Sequence, residues 1–492
     1  MPVYDGRQLG RAVSRSADAV VVGTGAGGAV AAAELAAAGL RVVMLEEGGY
    51  YTGKDLRGDP LHSFERLYRD GGLTGTLGPA PILVPTGCCV GGTTTVNSGT
   101  CYRTPRFVLE LWEREWGLEG ATELDEHFVA IERALSIAPV PDALYGPQNG
   151  CIEGACRELG WRGSRIPRNA DGCLASGVCA LGCTSDGKMA MSVSKIPEAL
   201  RDGAELWVNT RAERILLEGR RALGVLARSA TGTPLVVRAP LTVVACGAFH
   251  SPALLLASGI RSRWIGRGLH LHPATRVVAR FPEPIDGWRE VPQAYNIDEF
   301  IEDGVFIQGQ FVPPALQAAV LPGFGHAHKQ RMVSFRTLAS FGALISDESS
   351  GRVVALRGSS RPLAWYRLQR RDTRKLLFGI ARTAEAFFVA GAEEVYSGVA
   401  AKPILRNRRE ALALERLHVP ASGIEIGAFH PMGTVRAGAP GRAACDPWGR
   451  LRGWEGLAIA DASLFPTSNR INPQLTIMAL AQRAARSWAA AG

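Results

Sequence analysis

Several features that would direct a chain elsewhere are missing. Residues 1–18 hold no apolar run of signal-peptide length, so export by that route is not expected and a cytoplasmic protein is. No dense basic run interleaved with aromatics appears, which leaves nucleic acid without a surface to bind. Lysine is scarce, and the formal charge of +9 rests mainly on arginine. A solvated, arginine-rich surface accounts for that charge. Attraction to an anionic membrane face or an acidic redox partner is the sharper alternative, so peripheral membrane contact stays open. An uninterrupted membrane-spanning stretch is missing too: residues 19–45 are apolar enough to tempt that reading, but Glu34, Arg41 and several glycines break them. Ten cysteines without an export signal argue against a disulfide framework and point to cofactor ligation.

Core material, by contrast, is ample. Hydrophobic residues make up 46% of the 492 and charged residues 21%, which excludes wholesale disorder and leaves room for two or more domains. The chain opens on a βαβ pattern. Ala19-Val20-Val21-Val22 suits a strand buried on both faces, 29–38 is an alanine-rich helix, Gly39 ends it, and 41–45 is a second buried strand. Between strand and helix, Gly23-Thr24-Gly25-Ala26-Gly27-Gly28 fits G-x-G-x-x-G. Gly23 permits the tight turn, Gly25 lets backbone approach a pyrophosphate, and Gly28 lets helix and strand pack closely. The helix N-terminus offers unpaired N–H groups to phosphates. Glu46 ends the second strand, with the charge and spacing to accept hydrogen bonds from an adenosine ribose. The glycines do not tell FAD from NAD.

Further along, a Gly/Thr-rich turn at 87–99 precedes helical segments near 107–115 and 123–135 and a Cys/Gly-rich loop at 171–187. A buried strand at 241–245 leads into Gly247 and a helix at 251–257. The region 273–422 alternates short strands with a basic helix at 370–390. The last seventy or so residues return to strand (457–460), turn and helix (474–489). One nucleotide-binding domain in separated segments, with a second domain inserted, accommodates this order.

Gly87-Cys88-Cys89-Val90-Gly91-Gly92-Thr93-Thr94-Thr95-Val96-Asn97 resembles the first signature of the glucose–methanol–choline (GMC) oxidoreductases. Gly247-Ala-Phe-His-Ser251-Pro252 with Leu254, Leu255 and Ser258-Gly259-Ile260 resembles the second. His430-Pro431-Met432-Gly433-Thr434, Asp461-Ala462-Ser463 and Asn472-Pro473-Gln474-Leu475-Thr476 resemble the C-terminal block. The resemblance implies an α/β fold: a Rossmann-type FAD-binding domain of 1–105, 187–275 and 424–492, with an inserted α+β substrate domain of 106–186 and 276–423. It places Gly92, Asn97 and Thr100 along the isoalloxazine and pyrophosphate, and Ala212 at the adenine. Asp461 and Ala462 fall at the second phosphate and ribityl, and Gln474 at the flavin's pyrimidine edge. Val96 stands where members with tethered flavin carry histidine, so the FAD is expected to be non-covalent.

His430 and Asn472 match the family's catalytic pair. Alcohol oxidation takes a proton from O–H and a hydride from carbon; a histidine suits the proton, and a neutral amide can hold the oxygen. The expected reaction is oxidation of a primary or secondary, lipophilic alcohol to the carbonyl, with oxygen or an electron acceptor taking the electrons. A flavin-containing lyase or photodecarboxylase on the same fold is an alternative. His270 and His272 fall in a stretch associated with packing near the flavin; His326 and His328 read as an exposed loop in preference to metal ligands on a strand. Cys173, Cys179 and Cys183 resemble the iron–sulfur loop of membrane-linked FAD dehydrogenases, and also a cysteine segment of long-chain-alcohol-oxidase-like members for which no cluster is implied. A cluster passing electrons to a partner, a local disulfide and free thiols all remain open.

Overall fold

The structure, a computed structural model, describes residues 2–356 and 361–490; residues 1, 357–360 and 491–492 of the expected segments lie outside it. The parallel strands form on short apolar runs, buried except at the sheet's edge strand Val3–Asp5. Val3–Asp5, Glu205–Val208, Val42–Leu45, Ala19–Val22, Leu241–Val244 and Leu457–Ile459 lie in that order as a six-stranded sheet, each neighbour parallel. Both faces of the Ala19–Val22 and Val42–Leu45 strands are buried, as a parallel sheet clothed by helices requires. Two of those helices, Ala26–Ala37 and Gln474–Ala489, pack on each other.

The second unit is an antiparallel sheet. Its main path runs Ile404–Leu405, Glu394–Tyr396, Val277–Arg280, Leu338–Ile345, Val305–Gly309, Tyr295–Ile297, Gly163–Arg165, and Pro273–Ala274 joins it between Leu338–Ile345 and Gly427–Ala428. Alternation decides its two faces. Val277, Ala279, Val305, Ile307, Phe341 and Ala343 share a core with Leu376, Ile380 and Phe387 of the helix Arg370–Val389. The opposite face presents Arg276, Gln308 and Leu344 to the cavity described below.

The sequence reading placed everything from 106 to 186 in the inserted domain. Packing instead puts the helices Arg106–Trp116 and Asp125–Ala134 with the parallel sheet, because Trp112, Phe128 and Ile131 bury in that core. The chain joins the second unit at Pro147–Leu159 and Gly163–Arg165. His326 and His328 are on a helix, Gly325–Val333, neither the loop nor the strand considered from sequence; two residues apart on a helix, their side chains diverge. Among the described residues, no helix is long and apolar enough to cross a membrane.

Candidate active site

A cavity of about 440 Å³ runs from the C-terminal ends of the parallel strands to the free face of the antiparallel sheet. Its closed end is built on the glycine turn. Gly23 has φ +97°, and a Cβ there would lie 2.4 Å from Ala245 O. Gly25 caps the helix in extended conformation and has nothing within 4 Å of its Cβ direction, whereas Cβ atoms on Gly27 and Gly28 would sit 1.9 Å from Ala460 O and 2.0 Å from Gly23 O. The helix therefore starts at Ala26, three residues before the alanine run, because two glycines let it press onto the sheet.

Glu46 lines the cavity but is already engaged. Its Oε2 accepts from Thr24 N and Oγ1 at 3.2 and 2.7 Å, and its Oε1 from Gly48 N at 3.0 Å. Burial raises its pKa against those donors. Its neighbour Glu47, not singled out from sequence, takes two hydrogen bonds from Arg69 at 3.0 and 2.8 Å. Burial opposes its charge, but Arg69 outweighs that and holds the carboxyl below its usual range. Ala212, on the strand Thr210–Glu218, lines the same end with Arg211.

Midway, Gly92 has φ +54° and caps the short helix Thr93–Val96; a Cβ there would approach Gly25 Cα to 3.0 Å, so the two glycine turns meet back to back. Asn97 Nδ2 donates to Gln474 Oε1 at 2.9 Å, Gln474 Nε2 donates to Thr100 O at 2.8 Å, and Thr100 Oγ1 donates to Gln293 Oε1 at 2.7 Å. Asp461 accepts from Gly247 N at 2.9 Å, from Ser463 N at 2.8 Å and from Ser251 Oγ, and lines the cavity beside Ala462. Sequence segments hundreds of residues apart thus meet on one wall.

At the far end His430, half-buried, lies between two partners. Asn472 Nδ2 is 3.4 Å from its Nε2, and His272 Nδ1 is 3.0 Å from its Nδ1. Burial, with the second imidazole beside it, pushes the His430 pKa well below the ordinary value, and burial takes His272 down to about 4. Both rings are neutral near pH 7, so His430 stands in the form that accepts a proton. Asn472 Oδ1 and His272 Nε2 are buried without a hydrogen-bond partner. His272 was read from sequence only as a packing residue. It is held at φ +51° by Asp347, which accepts from Leu271 N at 2.9 Å and His272 N at 3.2 Å and from Tyr366 Oη at 2.6 Å.

Comparison with known proteins decides the family. GMC oxidoreductase family models match residues 64–274 (N-terminal) and 348–481 (C-terminal). A GMC-type oxidoreductase of Mycobacterium tuberculosis is 40% identical over 471 residues, 94% of this chain and 74% of that protein. The chain belongs to the GMC oxidoreductases. A long-chain-alcohol oxidase of Arabidopsis thaliana is 29% identical over 94% of this chain and 66% of its own length. The solved structure of pyridoxine 4-oxidase from Mesorbium loti superimposes with a TM-score of 0.73 at 17% identity, covering 96% of this chain and 99% of that one. The fold is therefore the GMC fold, a flavoprotein fold. The lining fits such a dinucleotide: open backbone at Gly25, a helix N-terminus facing the space, and polar groups at the far end left unpaired.

The cysteine loop of this GMC oxidoreductase is not arranged as a metal site. Cys173, Cys179 and Cys183 do border one small cavity. However, the Arg168 guanidinium faces the first two sulfurs at 3.9 and 3.4 Å, and Cys183 Sγ accepts from Lys188 N at 3.4 Å. Among the described residues, no group of three His, Cys, Asp or Glu side chains is placed to hold a metal ion, and all ten cysteines are free thiols. The cluster and the disulfide considered from sequence find no support. Lys188, also missed from sequence, does the structural work of the loop: its buried Nζ donates to Thr95 O at 2.8 Å, Asn97 O at 2.5 Å and Cys179 O at 3.0 Å.

Proposed function

We propose that this GMC oxidoreductase binds FAD non-covalently and oxidises a primary or secondary alcohol with an apolar body to the carbonyl compound. The observation that carries this reading is one continuous cavity joining the glycine turn to the His430–Asn472 pair. Bound FAD supplies a two-electron acceptor for the hydride that leaves the carbinol carbon. His430 Nε2 takes the hydroxyl proton, for which its depressed pKa keeps a lone pair available at neutral pH. Asn472 holds the alcohol oxygen beside that nitrogen without competing for the proton. Phe311, Leu316, Leu344 and Phe429 line the approach and exclude water from the reacting carbon. In this reading Gly23, Gly25, Glu46, Gly92, Asn97, Thr100, Ala212, Asp461, Ala462 and Gln474, all on the cavity lining, serve the cofactor, and Gly28, off the lining, serves it by letting the helix pack. The name carried by the Arabidopsis relatives supports an apolar substrate.

The test is anaerobic mixing of the holoenzyme with a panel of aliphatic, terpenoid and sterol alcohols, followed by air. Bleaching of the flavin identifies the substrate class, and the rate of recolouring separates an oxidase from a dehydrogenase that needs another acceptor. His430→Ala is expected to slow bleaching by about a hundredfold to ten-thousandfold while FAD stays bound. A flavin that no alcohol bleaches would remove oxidation and favour the non-redox chemistries.

A further inference from the structure

We infer that Arg276 recognises an anionic group, a carboxylate, at the end of the substrate remote from the alcohol. This rests on the proposed reading for the location of the alcohol end, and on the following geometry for the rest.

Arg276 directly precedes the strand Val277–Arg280. Val277 and Ala279 point into the core beneath Arg370–Val389, so Arg276, one residue out of phase with them, is on the cavity face with Leu344 of the adjacent strand and Gln308 of the strand beyond it. No hydrogen bond or ion pair engages its guanidinium among the described residues, and its Nε is buried without a partner. Burial lowers its pKa, which expresses how poorly the site solvates the charge. Arg276 is half-buried, with its Nε turned away from water and unpaired, and a guanidinium so placed on a cavity wall has its missing partner sought in the cavity. The other charged groups on the lining have their countercharges or donors in place: Arg69 on Glu47, Arg211 at 3.8 Å from Glu47, Asp461 under Gly247, Ser251 and Ser463.

Glu425 is the countercharge nearest in influence. It precedes Gly427, whose partner across the ladder is Ala274, and it lies outside the cavity lining and makes no direct ion pair with Arg276. Burial holds its pKa up, at about 7, with Arg276 opposing that rise. It therefore moderates the arginine's charge without occupying its hydrogen-bonding edge. A second polar atom faces the cavity two strands away: Gln308 Oε1 is buried, unpartnered and on the same wall. Gln310, by contrast, is committed to Thr275 O at 2.8 Å. The planar N–H edge of one guanidinium matches the two oxygens of a carboxylate.

The spacing bounds the substrate. His272, which touches His430, and Arg276 are separated by at most about 13 Å of extended chain. The wall also offers Phe311 and Leu344. The ligand implied is an alcohol of medium length, apolar in its middle and ending in a carboxylate.

The test compares ω-hydroxycarboxylates of six to twelve carbons with the primary alcohols of the same length, on the holoenzyme under anaerobic conditions. Affinity is read from flavin bleaching, and independently from the shift in flavin absorbance when the matching carboxylate without a hydroxyl is titrated in. The hydroxy acids are expected to bind about tenfold to a hundredfold more tightly than the alcohols, with an optimum in chain length. Arg276→Gln is expected to abolish that preference while leaving the neutral alcohols within about threefold of wild type. Equal affinity for acid and alcohol in the wild type, or a preference that survives Arg276→Gln, overturns the proposal. If Arg276→Gln does not bind FAD, the wild-type comparison and Arg276→Lys decide it, the latter expected to keep part of the preference through charge alone. If neither series bleaches the flavin, alcohol oxidation fails, while the carboxylate titration still tests Arg276.

Discussion

His430 and His272 face each other through like nitrogens, and between two Nδ1 atoms 3.0 Å apart one proton can be shared. With the Asn472 amide N–H aimed at His430 Nε2, the shared proton belongs to His430 Nδ1 and His272 acts as acceptor. His272 is then a positioning residue: it fixes the tautomer that keeps the lone pair on Nε2, the nitrogen Asn472 adjoins. Testing this needs variants that keep the backbone, because φ +51° strains most side chains there. His272→Gly fits the backbone but supplies no acceptor, and is expected to slow anaerobic flavin reduction by about tenfold. His272→Asn tolerates the same φ and returns an oxygen near the lost nitrogen, so it is expected to recover most of that rate. Equal rates for Gly and Asn would show that backbone, not tautomer, is what His272 provides. His430 and Asn472 were legible because each sits inside a contiguous motif. His272 and Arg276 were not, since their meaning lies in contacts across 158 residues of chain for the first and in the lack of any partner for the second. The Glu47–Arg69 pair, 22 residues apart and with no periodicity between, left no trace in the sequence either.

At the level of elements, the glycine turn separates two requirements that the motif merges. Gly27 and Gly28 are packing positions, with backbone oxygens within 2.0 Å of where a Cβ would stand, while Gly25 faces open space. Gly27→Ala is expected to unseat the helix from the sheet and cost several kcal/mol, against a gain of only about 1 kcal/mol from alanine's helix propensity. Gly25→Ala is expected to leave apoprotein unfolding unchanged within about 0.5 kcal/mol and to weaken FAD binding, since its methyl would enter the ligand's space. Urea unfolding of the apoproteins with FAD titrations on each variant checks both; equal destabilisation by the two substitutions would contradict the division of labour. The parallel strands were legible as apolar runs of the right length. The start of Ala26–Ala37 was read late because glycines lower helix propensity, and only tertiary packing explains why they are inside it. The strand Leu338–Ile345 is buried at every position, facing a core on one side and other apolar clusters on the other, so it lacks the alternation that marks an antiparallel strand.

For the whole molecule, the cavity is where two cores meet. Gly23, Glu46, Cys246 and Asp461 lie just beyond the C-terminal ends of parallel strands, the usual ligand position in such sheets, while Arg276, Gln308 and Leu344 come from the antiparallel sheet. Lys188 adds a pin on the side wall, tying the cysteine loop to the backbone of the Gly92–Asn97 turn. A ligand in that space touches both units, so its binding free energy should be felt in both. Free FAD at about a hundred times its Kd is expected to stabilise the fold by about 2.7 kcal/mol, seen as a rise in the unfolding midpoint with FAD concentration. Hydrogen exchange locates the effect. Amides of the glycine turn and of Leu338–Ile345 should both gain protection when FAD is added, although they belong to different cores. Protection limited to the glycine turn would mean that the antiparallel sheet does not close on the cofactor, and the wall bearing Arg276 would then have to be reached by the substrate alone.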